Sequence, residues 1–470
     1  MSTVTDPARA AREQLSGFQG RLIGRDDAEY GDARPVYNAM IQKSPALIAQ
    51  CASPGDVAAV VGFAREHELP LAVRGGGHNG AGLGTVDDGV VIDLSPMRGV
   101  EVDPEARTVR VDGGCTWGEV DRATNEHGLA TPSGIISTTG VGGLTLGGGL
   151  GHLTRKCGLT IDNLVEAELV LANGERVRAS ADENPDLFWA IRGGGGNFGV
   201  VTSFKFRLHD VDTVVAGPTF WAVEQGAEVL KVYRDFITDA PRELNGFFLY
   251  GSVPPGPPFP EELHLRQVSG IVWCYVGDDE DAAAKAMAPL LEATPEPLLH
   301  GPQAMAHPDI QGAFDGVYPK GDQWYWRADF VNEIPDEAVE AHAKFGAEMP
   351  TWKSTMHMYP IDGAVHDLDS SDTAWSYRDA TWGSVFAGVD PDPANVDAIR
   401  DWTVDYFEAL HPHSAGGAYV NMMMDEGQER VRASYRDNYD RLAAAKATYD
   451  PDNLFRINQN IEPAGKSASG

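Results

Sequence analysis

The segment TTGVGGLTLGGGLGHLTRKCGLTIDN, residues 138–163, is the longest of three glycine-rich blocks in this chain. The other two are RGGGHNGAGLG, residues 74–84, and RGGGGNFGVVT, residues 192–202. Glycines let backbone N–H groups turn toward an anion without interference from Cβ, and the concave nests that result bind phosphate. One such block is typical of a structural turn. Three blocks within about 130 residues indicate a phosphate-rich cofactor lying along the backbone.

Two of the blocks match the pattern GxGxxG by letter, at Gly75–Gly80 and at Gly194–Gly199. In a Rossmann dinucleotide site this pattern follows a strand and opens a helix. Here the first match runs on into GTVDDGVVIDL, and the second runs directly into a strand. The context therefore argues against a Rossmann-type NAD site.

Short strands and helices alternate around the glycine blocks. PALIAQC (45–51) and PLAVR (70–74) are predicted strands that flank a predicted helix, DVAAVVGFAREH (56–67). LVEAELVLANGERVRAS (164–180) predicts a β-hairpin that turns at Asn173-Gly174. These elements make the first 210 residues a mixed helix and strand unit.

The sequence pattern changes after Leu208, where the glycine blocks end and aromatic strands alternate with helices. The predicted strands are TFWAV (219–223), NGFFLYGSV (245–253), SGIVWCYV (269–276), DQWYWRADFV (322–331), STMHMYPI (354–361) and SVFAGV (384–389). We predict an α+β chain in which residues 211–415 form an inserted domain with an antiparallel sheet covered by helices. Residues 1–210 form the first domain, and residues 416–470 return to it.

Composition narrows the possible partners. The 470 residues carry a net charge of −32, so neither nucleic acid nor an anionic membrane is an expected partner. No segment has the run of about 18 to 20 apolar residues that crosses a membrane. The first residues lack a basic region followed by an apolar core, and the four cysteines form no CxxC pair. These features predict a cytoplasmic protein. We also expect a monomer or homodimer without a metal site.

The acidic charge has two explanations that the sequence leaves open. Lysine is scarce, and acids dominate segments such as DDEDAAAKA (278–286). A surface of this kind is typical of adaptation to high salt, where self-repulsion is screened. It is equally typical of an ordinary acidic proteome that favours arginine.

Four segments together resemble the berberine bridge enzyme-type FAD-linked oxidases, members of the vanillyl-alcohol oxidase/PCMH flavoprotein superfamily. They are VRGGGHN (73–79), the block 138–163, DLFWAIRGGGGNFGVVT (186–202) and the C-terminal AYVN (418–421) with YDPDNLFRINQNI (449–461). The resemblance extends in order from about Pro45 to Pro463 and is greatest to prokaryotic members. It implies a two-subdomain PCMH-type FAD-binding domain over residues 1–210, a substrate-binding domain over 211–415 and a berberine bridge enzyme-type C-terminus over 416–470.

The resemblance also implies how the flavin is attached. In the family, the histidine of the RGGGH loop is bonded to the flavin 8α-methyl carbon, and the matching residue here is His78. Bicovalent members add a cysteine four residues before the first glycine of the second block. That position is Ile136 here, so we expect a single bond, to His78. Cys157 lies too far along the chain to replace the missing sulfur.

Further FAD contacts are carried over from the family motifs residue by residue. The loop residues that line the pyrophosphate are expected to be Arg74, Gly75, Gly76, Gly77, His78 and Asn79. Along the flavin and ribityl chain the expected residues are Ser137, Thr138, Gly140, Gly143, Gly147 and Gly148. Val200 and Val201 are expected near the adenine, and Tyr419, Asn421 and Asn458 near the isoalloxazine ring.

The implied reaction is that of an FAD-dependent oxidase acting on a small molecule. A hydride passes from the C–H bond of an alcohol, sugar or amine to flavin N5, and O₂ is reduced to H₂O₂. A flavin dehydrogenase, an oxidative tailoring or cyclising enzyme, and a flavin-binding protein without turnover stay open as alternatives.

The catalytic base is where the sequence departs from the family. Several plant members have a tyrosine directly after the AYVN asparagine, and this chain has Met422 there. By chemistry alone the candidates are Tyr419, Tyr377, His357, Lys320 and His152. We predict Tyr419 first and His357 second, while strand alternation in MHMY leaves open which face of the sheet His357 occupies.

Overall fold

The computed structural model describes residues 6–465, so the first five and last five residues lie outside the described part. The strands, in chain order, are β1 (Arg21–Gly24), β2 (Leu47–Gln50), β3 (Leu71–Arg74), β4 (Val90–Asp93), β5 (Val100–Asp103), β6 (Thr108–Asp112), β7 (Leu129–Ala130), β8 (Leu164–Val170), β9 (Arg176–Ser180), β10 (Val200–Arg207), β11 (His209–Asp210), β12 (Thr213–Ala222), β13 (Leu244–Ser252), β14 (Gln267–Val276), β15 (Leu299–His300), β16 (Gln303–Ala306), β17 (Gln323–Val331), β18 (Thr355–Pro360) and β19 (Trp382–Asp390).

The helices are α1 (Pro7–Gln14), α2 (Tyr30–Ala33), α3 (Pro54–Glu66), α4 (Trp117–Asn125), α5 (Val141–Gly147), α6 (Thr154–Cys157), α7 (Pro185–Ile191), α8 (Gly226–Ile237), α9 (Glu280–Ala293), α10 (His307–Gln311), α11 (Asp336–Ala347), α12 (Val396–Leu410), α13 (Gln428–Tyr435) and α14 (Tyr439–Tyr449). None of these helices is both long and apolar enough to cross a membrane. The chain has the predicted α+β class.

Two smaller sheets carry the glycine blocks. One has the order β1-β2-β4-β3, with β2 and β3 parallel to β4, and the other is antiparallel with the order β5-β6-β10-β8-β9. The predicted hairpin is confirmed, because β8 pairs with β9 and Gly174 turns between them with a φ of +85°. The RGGGH loop follows β3, and the third glycine block leads into β10.

A larger antiparallel sheet occupies the middle of the chain, with the order β15-β12-β14-β13-β18-β19-β17 and with β16 paired to β12. Helices α8, α9, α11 and α12 contribute buried apolar side chains to a core against one face of this sheet. Strand β18 shows how the two faces differ. Met356 and Met358 belong to the helix-covered core, whereas His357 and Tyr359 lie on the opposite face, as period-two alternation requires.

The C-terminal segment forms two helices where the sequence predicts one helical stretch, residues 428–447. The break falls at Arg436, whose φ of +45° lies in the left-handed region that a continuous helix cannot include. At this break between α13 and α14, the Arg436 guanidinium lies 3.5 Å from the centre of the Tyr377 ring.

Buried ion pairs join the large sheet to the glycine-rich part. Arg155 of α6 pairs with Asp362 at 2.7 Å, and Arg378 forms two hydrogen bonds with Asp162, at 2.8 and 2.6 Å. An arginine that loses its partner in such a place leaves an uncompensated buried charge. These pairs therefore specify how the two parts pack.

The buried histidines make the stability of the fold sensitive to acid. Burial lowers the pKa of His307 to about 4, and it lowers the pKa of each of three others, His152, His342 and His357, to about 3. Below the ordinary imidazole pKa of 6.5, the unfolded chain binds protons that the folded chain does not. The stabilisation that these neutral histidines give the folded state is therefore complete above pH 6.5, and the free energy of unfolding decreases as the pH falls below that value.

We expect His307→Leu to reduce this loss by up to about 1.4 kcal/mol per pH unit, because leucine removes the proton that the unfolded chain binds at this position. Neither ring nitrogen of His307 has a partner among the described residues, so the substitution breaks no hydrogen bond there. Thermal unfolding midpoints of wild type and variant between about pH 7.5 and about pH 5 measure the effect. The exposed His127 offers the matched control, His127→Leu. An equal pH dependence in wild type and His307→Leu would contradict the assignment.

Candidate functional site

A cavity of about 350 Å³ lies where the glycine blocks, the large sheet and the C-terminal segment meet. Its lining includes residues 74–79 of the first block, residues 134–144 in part, and Gly195 and Gly196 of the third block. From the sheet come Trp324, Trp326, Thr355, His357, Tyr359, Val385 and Ala387, and from the C-terminal segment Tyr419, Asn421, Met422 and Asn458. These five regions are far apart in the chain and share this one cavity.

The first two glycine blocks cross at Gly76 and Gly140. A Cβ on Gly76 would lie 2.4 Å from the backbone N of Gly140, and a Cβ on Gly140 would lie 2.2 Å from the backbone N of Gly76. Contacts of that length with backbone atoms cannot be relieved by a side-chain rotation. Both positions therefore require glycine.

His78 is held in place just beyond this crossing. Its ring is stacked on Tyr37, with centroids 3.9 Å apart and planes inclined by 19°, and its Nε2 is 3.0 Å from Thr138 Oγ1. Burial lowers the His78 pKa to about 4, and the nearby Lys320 cation acts in the same direction. The imidazole is therefore neutral near pH 7, which is the form that acts as a nucleophile.

Arg74 is the only charged side chain among the described residues that line the cavity. It pairs with the buried Asp93 at 2.8 Å. The lining contains no aspartate, glutamate or lysine within residues 6–465, although the whole chain carries a net charge of −32. A site with turned glycine backbone, an arginine and no carboxylate fits an anionic pyrophosphate.

Asn458 supplies a second feature that fits a flavin nucleotide. Its Nδ2 donates to the carbonyls of Gly196 and Phe455, at 3.3 and 3.0 Å, whereas its Oδ1 is buried without a partner among the described residues. A buried acceptor without a donor costs free energy unless a ligand supplies the donor. The N–H groups of a flavin ring could serve in that role.

Most of the predicted cofactor residues line the cavity, and five do not. Those in the lining are Arg74, Gly75, Gly76, Gly77, His78, Asn79, Gly140, Gly143, Val201, Tyr419, Asn421 and Asn458. Outside it are Ser137, Thr138, Gly147, Gly148 and Val200. Ser137 bonds instead to Asp315, through both its N–H and its hydroxyl, and Val200 packs in an apolar core. Gly147 lies against the Asn421 side chain.

The two predicted catalytic residues both line the cavity but differ in their hydrogen bonds. The Tyr419 hydroxyl accepts from the Gly149 N–H at 2.9 Å and from Asn421 Nδ2 at 2.8 Å, and burial raises its pKa to about 12. His357 Nδ1 is hydrogen-bonded to the Tyr359 hydroxyl at 2.8 Å. Burial keeps this imidazole neutral near pH 7, since its pKa is lowered to about 3.

The other three candidates for a base lie outside the lining. Tyr377 stacks on Phe330 at 4.4 Å and donates to the carbonyl of Ala433. His152 is buried with neither ring nitrogen bonded to any described residue. Lys320 is exposed in the loop before β17.

Sequence reasoning missed several residues of the lining. Tyr37 and Tyr318 belong to irregular segments with no motif, whereas Tyr359 lies two residues after His357 in the predicted strand 354–361, where alternation places both on one face. Trp324 and Trp326 alternate in the predicted strand, and this alternation was the one available sign that they share a face.

Comparison with known proteins agrees with this geometry. The family model described as "FAD binding domain" matches residues 45–180, and that described as "Berberine and berberine like" matches residues 418–462. The chain is 44% identical to the FAD-linked oxidoreductase pgmH of Aspergillus terreus, with 96% of this chain and 95% of that protein covered. It is 30% identical to (R)-6-hydroxynicotine oxidase of Paenarthrobacter nicotinovorans, with 95% and 98% covered.

Among solved structures, the xylooligosaccharide oxidase of Myceliophthora thermophila, in complex with xylobiose, superposes with a TM-score of 0.85. The two sequences are 25% identical, and the match covers 97% of this chain and 100% of the other.

The crossing of the glycine blocks predicts that Gly76→Ala loses FAD. The added Cβ overlaps the Gly140 backbone, so the His78 loop must move away from its place in the cavity wall. Bound flavin per protein and the thermal midpoint measure the effect. The control is Gly62→Ala, because a Cβ at Gly62 meets nothing within 4 Å and the residue lies within α3. Full flavin content with an unchanged midpoint in Gly76→Ala would refute the argument.

Proposed function

Since this chain belongs to the berberine bridge enzyme-like FAD-linked oxidoreductases, we propose that it is an oxidase of a small-molecule alcohol, sugar or amine. FAD, when bound, takes the hydride from the substrate C–H bond, and O₂ then accepts the two electrons and forms H₂O₂. The observation that carries the proposal is a shared cavity. A neutral imidazole on the sheet, His357, faces the same space as the glycine blocks and His78.

We propose further that His78 alone holds the flavin covalently. The imidazole is neutral, and its plane is set by the Tyr37 stack and the Thr138 hydrogen bond. Ile136 lines the cavity and has no sulfur to offer. The four cysteines are buried, and none of them lines the cavity.

The proton acceptor that the geometry favours is His357. In the tautomer whose Nδ1–H donates to the Tyr359 hydroxyl, this 2.8 Å bond orients the ring and leaves the Nε2 lone pair to receive a substrate proton. Tyr419 is the less suitable base. Its oxygen already accepts two hydrogen bonds, which leaves it little capacity to accept a substrate proton. Tyr419 and Asn421 instead stabilise α5 beneath the cavity, since Asn421 donates to the carbonyls of Gly143 and Leu144.

Covalent attachment predicts that acid-precipitated wild-type protein stays yellow, whereas His78→Ala releases its flavin into the supernatant. After proteolysis, the peptide that contains residues 74–84 should carry one flavin, and no cysteine-containing peptide should carry any. His127→Ala, at an exposed histidine, controls for the handling of the protein. A colourless wild-type pellet would exclude the bond to His78.

The assignment of His357 predicts that His357→Gln slows anaerobic flavin reduction by an alcohol by about 10²- to 10⁴-fold, the usual contribution of a general base. Tyr419→Phe should slow it by less than about tenfold, because it removes a hydrogen-bonding oxygen but not the base. Stopped-flow absorbance measures both rates, and the reverse ranking would make Tyr419 the base.

The proposed oxidase activity predicts that admission of air reoxidises the reduced flavin within seconds and releases H₂O₂. Reoxidation over minutes would indicate a dehydrogenase.

A further inference from the structure

Residues 37–39 form a bridging segment between the loop that carries His78 and the large sheet. On the loop side, the Tyr37 N–H donates to the carbonyl of Gly77 at 3.1 Å. On the sheet side, the Tyr37 carbonyl accepts from the Gly321 N–H at 3.0 Å, just before β17 begins. The backbone of one residue is therefore bonded both to the His78 loop and to the chain that enters the sheet.

Asn38, the next residue of the bridging segment, makes the same connection with its side chain. It is fully buried, and its Nδ2 donates to the carbonyl of Gly80 in the His78 loop at 2.8 Å and to the carbonyl of Trp324 in β17 at 2.9 Å. Its Oδ1 accepts from the Trp324 N–H at 3.0 Å. Because a buried amide is costly to leave unpaired, these bonds hold the loop and the start of β17 together.

The ring of Tyr37 extends this connection to the His78 imidazole. The two rings are stacked with centroids 3.9 Å apart, and the Tyr37 hydroxyl donates to the carbonyl of Tyr318 in the loop before β17. The Tyr37 ring also lies 5.7 Å from the ring of Trp324. Burial raises the pKa of the Tyr37 phenol, and the nearby Asp322 carboxylate acts in the same direction, so the hydroxyl keeps the proton that it donates. The chain that enters the large sheet therefore sets the position of the ring that covers His78.

The imidazole of His78 depends on this ring for its orientation. Its Nε2 is 3.0 Å from Thr138 Oγ1, and one hydrogen bond fixes a nitrogen but leaves the ring plane free to tilt. The stacked Tyr37 ring removes that freedom, because it covers one face of the imidazole at an inclination of only 19°. Orientation of a nucleophile matters for its rate, and a misplacement of 1 Å can cost about 100-fold.

We propose that Tyr37 is a positioning residue for covalent attachment of the flavin, and that through Tyr37 this attachment depends on docking of the large sheet. The inference rests on the proposed function, in which His78 alone holds the flavin. In the attachment, an 8α-methyl C–H bond of FAD and the imidazole N–H bond break, and a C–N bond forms. The two electrons left on the flavin pass to O₂, which takes up the two released protons and forms H₂O₂, so the reaction balances. A chain whose sheet has not docked lacks the anchors of Tyr37, so attachment follows assembly of both parts.

The rate at which acid-stable flavin forms tests the inference apart from turnover. Full-length protein from riboflavin-starved cells is mixed with FAD, and samples are precipitated with acid over time. Tyr37→Leu removes the ring, and we expect it to slow attachment at least about tenfold. Tyr37→Phe keeps the ring and loses the bond to the Tyr318 carbonyl, so we expect it to slow attachment only about two- to fivefold. Reversible FAD binding, measured by flavin fluorescence before attachment, should stay within about threefold of wild type in both variants.

Tyr30→Leu is the matched control for these substitutions. Tyr30 precedes the bridging segment, and its hydroxyl also donates to a backbone carbonyl, that of Pro45, at 2.8 Å. Tyr30 does not line the cavity, so Tyr30→Leu should attach flavin at the wild-type rate.

Each other outcome contradicts a stated part of the inference. A wild-type rate in Tyr37→Leu would overturn the positioning role, and so would a loss of FAD binding as large as the loss of rate, since Tyr37 would then shape the cavity as a whole. Attachment as slow in Tyr37→Phe as in Tyr37→Leu would overturn the role of the stacked ring, and a wild-type rate in Tyr37→Phe would overturn the dependence on the sheet. A wild-type protein that never forms acid-stable flavin would refute the proposed attachment to His78 and the inference with it, whereas equal rates in wild type and Tyr37→Leu would refute only the inference.

Discussion

The contact between the Gly76 and Gly140 backbones is the constraint on which the site depends. The loop after β3 and the segment before α5 pack so closely here that neither Gly76 nor Gly140 has room for a Cβ. This contact brings Thr138 to His78 and places the first two glycine blocks on one cavity. Glycine is costly in chain entropy, and here the close approach explains why it is used.

Strand β18 contributes to stability and chemistry with alternate residues. Met356 and Met358 fill the helix-covered core, and between them His357 faces the cavity, so a shift of register by one residue would exchange the two sets. The C-terminal segment is secured in a comparable way. Lys446 is fully buried, pairs with Asp450 at 2.7 Å and donates to the carbonyls of Asn197 and Phe455. That network holds the chain just before Asn458 against the third glycine block.

Charge is segregated between the surface and the cavity. The chain has 69 acidic residues, yet none of the described ones lines the cavity. Exclusion of carboxylates from the lining suits an anionic cofactor, because a buried carboxylate would repel its phosphates.

The sequence alone determined the α+β class, the hairpin at Asn173-Gly174 and the flavoprotein family. It also indicated that the glycine blocks bind the cofactor. These features depend on local patterns, because turns, strand alternation and glycine spacing are written in neighbouring residues. Only the tertiary structure decided that His357 faces the cavity, that the Tyr419 hydroxyl is occupied and that Tyr37 stacks on His78. Those facts depend on contacts between residues that are distant in the chain or on the face that a strand presents, and neither can be read from a single segment.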